Sequence, residues 1–563
     1  MKRRALFLPG ILIAGAALAA GQAPRSQPGN LSALRTRAER SNFEETSTAA
    51  DVQEYVSALA ASPLVHVTSF GRTEEGRDLR LLVVSSPKIS TPEEARRSGR
   101  PIILIQANIH AGEVEGKEAA LILARRLVDG DLASLARRLV ILIAPNYNAD
   151  GNERTSPMNR SEQNGPVAGV GTRENAKGLD LNRDHMKLES AEARGLVGLL
   201  NAWDPHLVLD LHTTDGSYHG YHLTYSPILS PNADSRLIAF ERDTMLPDVR
   251  TATLDKHQFQ TYYYGNFSPE GNAARESARV DPANPGDVTW RTFDHRPRFG
   301  NNYVGLRNRF AILSEAFSYL DFKGRVDVTL AFTEEILRFV DANASRVRSM
   351  TAQADSDAAD RRLPPSFGVA FDFRASPQPV EILVSDVTRL RNPRSGRDML
   401  QRTNSAVPVK MKEYGDFQAI ASRPMPNGWL IPRDAVASGR LNAAIDRLRW
   451  HGVRIEEVTR PITARVEQFE IAGITRPDRA FQGHRETKLT GRLVASQLAV
   501  EPGSLFVSAR QPLARLAFYL LEPESDDGLV DWNLLDDALT IGQLYPVARS
   551  VGGTIAASSL KPF

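Results

Sequence analysis

Two residues with metal-binding side chains, His110 and Glu113, follow an apolar run in this chain. An imidazole nitrogen and a carboxylate three residues apart can reach one metal ion, and Gly112 between them permits a tight backbone. Zinc accepts such nitrogen and oxygen ligands, and a catalytic zinc is held by three protein groups while a further position stays open for water. The pair therefore indicates zinc chemistry and requires a third ligand elsewhere.

The residues around this pair support the interpretation, because an isolated His-x-x-Glu arises often by chance. Residues 102–107 are apolar except for Gln106 and predict a buried parallel strand. Residues 114–128 then carry apolar side chains at helical spacing. Ligand sites in α/β proteins lie outside the carboxyl ends of strands, which is where this strand, loop and helix place the pair.

The candidate for the third ligand is His212, which also ends an apolar run. Among the other histidines, His219 and His222 lie in a segment rich in Tyr and Gly, and we interpret them as pocket or surface residues. The chain has no cysteine, so disulfides and thiolate ligands are excluded. A zinc ion would have to be held by His and carboxylate side chains.

Further motifs make the chain resemble the zinc metallocarboxypeptidase family, which includes carboxypeptidases A, B and D. Ser69-Phe-Gly-Arg-Thr-Glu-Glu-Gly-Arg77 is similar to a segment near the start of that domain. Residues 145–151 resemble the family's Asn-Pro-Asp-Gly turn, although Tyr-Asn-Ala replaces the single Pro. Residues 171–184 contain an Asp-Leu-Asn-Arg segment that is also similar. The matching segments follow the family's order along the chain.

The resemblance implies the ligand set and the cofactor. The family's zinc ligands match His110, Glu113 and His212, so one zinc ion is the expected cofactor. Asp180 matches a carboxylate that orients one of the zinc histidines, an arrangement that metal sites commonly need.

The resemblance also implies residues that bind the substrate. Asn182 and Arg183 match a pair that binds the terminal carboxylate of a peptide. A guanidinium fork binds a carboxylate through two parallel hydrogen bonds, which suits the selection of a C-terminus. Arg173 matches the residue that polarises the scissile carbonyl, with Arg154 and Arg160 as fallback candidates.

Glu315, which interrupts an apolar strand, matches the family's general base. On this interpretation it takes a proton from the attacking water and delivers it to the leaving amine. The structural alternative is an ion pair with Arg307 or Arg309, because a buried carboxylate needs a partner. The family also has a mobile substrate-side tyrosine upstream of this Glu. Here the chain departs from the pattern with Phe293, and we take Tyr303 as the substrate-binding candidate, with Tyr262 to Tyr264 further upstream.

The predicted function is a zinc metallocarboxypeptidase that hydrolyses the C-terminal bond of peptides or proteins with free C-termini. One alternative is a zinc amidohydrolase of the aspartoacylase and succinylglutamate desuccinylase type acting on acyl-amino acids, because Asp210-Leu-His212 is close to that branch. The other is an inactive zinc-binding scaffold. Arg173 at its spacing favours the peptidase over the amidohydrolase, and Glu315 argues against the scaffold.

The first twenty residues predict an exported protein. A basic start precedes an apolar stretch that ends in small residues at 17–19, as in a signal peptide, although an uncleaved anchor is the alternative. Removing this segment with Lys2, Arg3 and Arg4 would lower the formal charge by three, from +2 to −1. We therefore expect a periplasmic or extracellular location, no nucleic-acid partner and no membrane span after signal removal.

Strand and helix signals alternate from residue 41 to 350 and predict an α/β catalytic domain. The resemblance implies a mixed, mostly parallel, eight-stranded-type sheet flanked by helices. We further expect a signal peptide (1–20), a disordered segment (21–40), a linker (351–365) and a smaller β-rich accessory region (366–563).

An acidic segment from Leu520 to Asn533 contains Trp532 and has no counterpart in these motifs. It can be a partner or calcium site, but we interpret it as an ordinary solvated turn.

Overall fold

A computed structural model of the protein describes residues 31–214, 216–270, 278–553 and 555–563. The predicted signal peptide and the first half of the segment predicted to be disordered lie outside these ranges. Within the described ranges, no helix has the length and apolar character that crossing a bilayer requires.

Ten strands lie among the described residues that precede residue 350. They are β1 Val65–Arg72, β2 Asp78–Val84, β3 Ile102–Ala107, β4 Val140–Ala144, β5 Leu207–Thr214, β6 Leu223–Ser226, β7 Thr261–Tyr263, β8 Asn266–Pro269, β9 Val288–Arg291 and β10 Phe310–Phe317. Eight of them form one sheet in the order β1-β2-β4-β3-β5-β10-β6-β7. The pairs β3–β4, β3–β5, β5–β10 and β6–β7 are parallel and the remaining three are antiparallel. The predicted mixed α/β sheet is thus confirmed.

Helices cover both faces of this sheet. They are α1 Arg37–Arg40, α2 Ala49–Leu59, α3 Pro92–Arg97, α4 Glu115–Asp129, α5 Leu135–Arg138, α6 Ala149–Asn152, α7 Ala191–Trp203, α8 Ser235–Phe240, α9 Leu246–His257, α10 Gly300–Leu306, α11 Phe322–Ala342 and α12 Ala344–Ala359. Successive strand residues point to opposite faces, so Ile103 and Ile105 pack on the side of α4 and α11, while Ile102 and Leu104 pack on the side of α7 and α10. Burial on both faces explains why β3 is almost wholly apolar.

Two segments differ from the sequence prediction. Residues 31–40, predicted to be disordered, contain helix α1, which the reciprocal hydrogen bonds of Thr36 and Glu39 cap. The predicted linker 351–365 is helical as far as Ala359, because α12 buries Val347, Ala354 and Ala358 at helical spacing.

The remainder of the chain is rich in strands, as predicted. It contains β11 Ser366–Arg374, β12 Val380–Val384, β13 Val387–Arg391, β14 Asp398–Arg402, β15 Val407–Tyr414, β16 Asp416–Pro424, β17 Gly428–Ile431, β18 Glu456–Val458, β19 Ile462–Thr475, β20 Lys488–Val500, β21 Leu505–Ser508, β22 Ala548–Ser550 and β23 Leu560–Pro562, with helices α13 Arg433–Ala437, α14 Asn442–Trp450 and α15 Ala514–Leu521. Seven strands form a sheet in the order β20-β19-β22-β17-β21-β18-β23.

This C-terminal region is not separated from the rest by a clean boundary. Strand β15 pairs in parallel with β9, so that a sheet of four strands, β12-β15-β9-β8, joins the two parts of the chain. One continuous hydrophobic core also contains side chains from both parts, including Trp203 and Leu448. The two parts therefore pack as neighbours through backbone pairing and a shared core.

Candidate active site

The carboxyl ends of two adjacent parallel strands bring the three predicted metal ligands together. His110 and Glu113 lie between β3 and α4, and His212 lies near the end of β5. The β3–β5 register pairs Ala107 with Leu211, so the residues that follow share one edge of the sheet. A Cβ added at Gly112 would lie 2.8 Å from the side chain of Arg160, which would have to shift.

The donor atoms of these three side chains converge. His110 Nδ1 lies 2.9 Å from Glu113 Oε1, and His212 Nδ1 lies 3.0 Å from Glu113 Oε2. One ligand atom of each residue lies within 4.8 Å of the others, and all three side chains are buried. Although burial favours the neutral acid, the charges of His110 and Arg160 hold the pKa of Glu113 well below its ordinary value. Two imidazole nitrogens and an ionised carboxylate are a donor set that suits zinc.

An aspartate carboxylate lies close to the Nε2 atom of each histidine. His110 Nε2 lies 3.0 Å from Asp180 Oδ1, and His212 Nε2 lies 2.9 Å from Asp210 Oδ2. Asp180 was predicted for this place, but Asp210 was not. The signal for it is the i, i+2 spacing with His212 on one strand, which puts both side chains on the same face. A carboxylate therefore lies close to one nitrogen of each ring, and the other nitrogen faces Glu113.

Two arginines approach the metal-ligand carboxylate. Arg160 Nη2 donates to Glu113 Oε1 at 2.5 Å, whereas Arg173 Nη1 lies 3.9 Å from the same oxygen. Arg173 Nε also donates to Asp180 Oδ2 at 2.9 Å. Despite burial, the charges of Asp180 and Glu113 raise the pKa of Arg173 above its ordinary value. Arg154, the other fallback candidate, pairs instead with Glu75.

Asn182 and Arg183, the pair predicted to bind the terminal carboxylate of a peptide and called here the carboxylate anchor, lie on a short 3₁₀ turn, Leu181–Arg183. The Asn182 backbone N–H donates to Asp180 Oδ1 at 2.9 Å, and Asn182 Oδ1 accepts from the Gly300 N–H at 3.1 Å. The Arg183 guanidinium lies 4.0 Å from the centre of the Phe299 ring. Burial lowers the pKa of Arg183, but a guanidinium so basic stays charged at neutral pH.

Glu315 enters the same site from the neighbouring strand. The β5–β10 register pairs it directly with His212. Its alternative partners are engaged elsewhere. Arg309 pairs with Asp204 and Asp355, and Arg307 donates to the His451 carbonyl oxygen at 3.0 Å.

The structure does not place Tyr303 in this site, which corrects the sequence prediction. Its ring is fully buried on α10, and its hydroxyl lies 2.8 Å from His451 Nδ1 in the C-terminal region. On helix α10 this side chain points into the core, where its ring contacts His451, the residue that follows α14. Tyr264 and Phe293 line the site instead, with their rings 5.3 Å apart.

The site is a cavity of about 190 Å³ in which charged and aromatic side chains face each other. The cavity is lined by His110, Glu113, Arg160, Arg173, Asn182, Arg183, His212, Thr213, Thr214, Tyr264, Phe293, Phe299, Leu313 and Glu315. The predicted metal ligands, the predicted base and the predicted anchor therefore meet in one place.

Comparison with known proteins agrees with these motifs. Residues 52–220 match the family model described as zinc carboxypeptidase. The chain is 22% identical to carboxypeptidase 2 of Trichophyton tonsurans over 85% of its own length and 81% of that protein. It is 32% identical to carboxypeptidase D of Drosophila melanogaster over 24% of its length and 9% of that protein. A solved metallo-carboxypeptidase from Burkholderia cenocepacia is 19% identical, with a TM-score of 0.38, over 52% of this chain and 70% of that one. The family model and the two relatives confirm that the chain resembles zinc metallocarboxypeptidases. They also support its assignment as an enzyme of the metallocarboxypeptidase class.

Proposed function

Starting from an enzyme of the metallocarboxypeptidase class, we propose that this chain uses one zinc ion to remove the C-terminal residue of peptides or proteins. The observation that carries the proposal is that one cavity is lined by the three predicted metal ligands (His110, Glu113 and His212), by Glu315 and by Arg183. Each group has a separate task in hydrolysis at a free C-terminus.

The zinc ion would be held by His110, Glu113 and His212, whose donor atoms lie close enough together to share one ion. A bound zinc ion lowers the pKa of water and polarises a carbonyl group. Asp180 and Asp210 would orient the two imidazole rings, whose Nδ1 atoms face the carboxylate of Glu113.

Glu315 is the group that moves the proton. Its carboxylate lines the cavity beside His212 and can accept a proton from the attacking water. The same carboxyl group can then donate that proton to the amine of the leaving residue. A single carboxylate thereby acts first as a base and then as an acid.

Arginines would contact two groups of the substrate, the terminal carboxylate and the scissile carbonyl. Arg183 and Asn182 would hold the terminal carboxylate through charge-assisted hydrogen bonds and so fix the register of the peptide. Arg173, which also lines the cavity, would stabilise the negative charge that develops on the carbonyl oxygen. Arg160 lies closer to Glu113 than Arg173 does, so it shares the task of neutralising that carboxylate.

The decisive experiment compares matched peptides with a free or an amidated C-terminus, using the zinc-loaded enzyme. We expect cleavage of the free acids and none of the amides, because an amide lacks the charge that Arg183 binds. Equal cleavage of both would rule out the carboxylate anchor. Parallel assays with acyl-amino acids test the amidohydrolase alternative, and inactivity on a broad peptide library, unchanged by Glu315→Gln, would favour the scaffold.

We also propose that the enzyme is exported. The support is the signal-peptide pattern of residues 1–20, which lie outside the described part of the chain. Fractionation of cells that express the full chain, with N-terminal sequencing of the product, tests this. A cytoplasmic protein that retains residues 1–20 would contradict export.

A further inference from the structure

The acidic segment of the C-terminal region is buried against the active-site part of the chain. Asp527 is completely inaccessible to solvent and Asp531 is 1% exposed, so the segment is not the solvated turn expected from its sequence. Both carboxylates contact Arg298, which immediately precedes the cavity residue Phe299.

Arg298 is the centre of this contact. Its Nε donates to Asp527 Oδ1 at 2.7 Å, and its backbone N–H donates to the other oxygen of the same carboxylate at 2.6 Å. Its Nη2 donates to Asp531 Oδ2 at 3.0 Å and to Glu486 Oε1 at 2.7 Å. The guanidinium also lies 4.5 Å from the centre of the Trp532 ring. Both the side chain and the backbone of residue 298 are therefore held by the C-terminal region.

The residues next to Arg298 hold the predicted carboxylate anchor. The Arg298 carbonyl oxygen lies 3.1 Å from His185 Nδ1, which is two residues beyond Arg183. The Phe299 ring lies under the Arg183 guanidinium, and the Gly300 N–H donates to Asn182 Oδ1. Any shift of this segment would therefore move both anchor residues.

A second contact reaches the anchor from the β19–β20 hairpin. Gln482, at the tip of that hairpin, accepts a hydrogen bond from the Asp180 backbone N–H at 3.0 Å. Its φ of 50° is in the left-handed region, which residues other than Gly adopt at some cost. Two residues further on, His484 Nε2 lies 2.8 Å from Glu189 Oε1. The hairpin tip is thus fixed beside the turn that carries Asn182.

We propose that Gln482 and Glu486 of the β19–β20 loop, together with Asp527 and Asp531, are positioning residues for the carboxylate anchor formed by Asn182 and Arg183. This inference rests on the proposed function. The contacts of these four residues run through Asp180 and Arg298, so the residues act on the orientation of the anchor and not on the reacting atoms. The C-terminal region thereby completes the substrate site.

The consequence is a defined kinetic signature. An anchor that is held less firmly binds the terminal carboxylate more weakly, while Glu315 and the metal ligands keep their places. Loss of one positioning contact should therefore raise KM for free C-termini and leave kcat nearly unchanged. A purely structural role would lower the melting temperature without this split.

The test uses the full zinc-loaded chain and the free-acid peptide that the wild type cleaves best. Gln482→Ala removes one hydrogen bond, and Glu486→Gln removes the negative charge that strengthens another. Both residues lie in a loop that is partly exposed, so folding should persist. We expect each to raise KM about fivefold, as for the loss of one hydrogen bond, with kcat within about twofold of wild type. Glu470→Gln is the matched control, because it removes the exposed ion pair with Arg492 on the same hairpin.

An unchanged KM in both variants would overturn the inference, as would an equal rise in KM in the Glu470→Gln control. The amidated peptide separates this failure from failure of the proposed function. If the wild type cleaves free and amidated peptides equally, the anchor itself does not exist. If the wild type discriminates but the variants keep their KM, only the positioning role is lost.

Discussion

Glu315 and His212 lie side by side on β10 and β5, so the proposed base and a proposed metal ligand depend on one strand pair. Glu315→Gln keeps the size of the side chain but removes its ability to take a proton. We expect kcat to fall by roughly 10²–10⁴-fold, the range typical of a lost general base. Steady-state kinetics with free-acid peptides measures this. Zinc content, determined by elemental analysis, should stay at one ion per chain, and a variant with wild-type kcat would contradict the role.

Asp210 is a residue that the sequence motifs did not assign to the site, and we propose that it orients His212, whose Nε2 lies 2.9 Å from its carboxylate. Asp210→Asn leaves the shape unchanged but weakens the interaction that orients the ring. We expect zinc affinity to fall by about 10–100-fold, the usual effect of losing a partner of a metal-bound histidine. Competition with a chelator of known affinity measures the change. Activity at saturating zinc should recover, whereas an unaltered affinity would show that Asp210 does not orient His212.

At the scale of elements, the loop between β3 and α4 leaves little space beside Gly112. An added methyl group would lie 2.8 Å from the Arg160 side chain, which itself contacts Glu113. We therefore expect Gly112→Ala to displace Arg160, weaken zinc binding and reduce activity. Zinc affinity and kcat/KM are the measurements.

Gly198→Ala is the control for this substitution. Gly198 lies on the exposed side of α7, where an added Cβ meets nothing within 4 Å. This change should preserve activity and stabilise the protein by about 0.5–1 kcal/mol, the usual gain of Ala over Gly inside a helix. If Gly112→Ala behaves like this control, the close approach to Arg160 has no importance for the site.

The acidic segment between α15 and β22 shows how far an element can depart from its local sequence signal. From the sequence, its carboxylates are expected to lie at the surface. In the structure Asp527 and Asp531 are buried, and both pair with Arg298. Nothing within the segment specifies this partner, which is more than 200 residues away. Burial of its acids is therefore a tertiary outcome.

At the scale of the whole molecule, this buried cluster makes stability depend on pH. Burial and the nearby charge of Asp527 raise the pKa of Asp531 to about 8. The folded protein then holds a proton that the unfolded chain releases near pH 4, so the free energy of unfolding falls as pH rises from about 4 to about 8. Asp531→Asn cannot ionise and should flatten this decline. Melting temperatures between about pH 5 and about pH 9 measure it, and parallel profiles for variant and wild type would contradict the raised pKa.

The sequence by itself determined the fold class and identified most residues of the candidate site. The periodicity of apolar residues predicts the alternating strands and helices. The strand signal at 102–107 draws attention to His110 and Glu113, and the resemblance to a known family assigns Asn182 and Arg183. Strand-end residues of adjacent parallel strands meet at one edge, so local motifs were enough to indicate a shared site.

Only the tertiary structure decided the contacts between distant segments. It turned Tyr303 into the core toward His451, placed Arg160 on Glu113, and set Gln482 and Arg298 beside the predicted anchor. These outcomes depend on how whole elements pack against each other, and sequence spacing carries no information on such relative orientations. The strand-end chemistry is therefore legible in the sequence, whereas the walls that surround and position it are specified by packing.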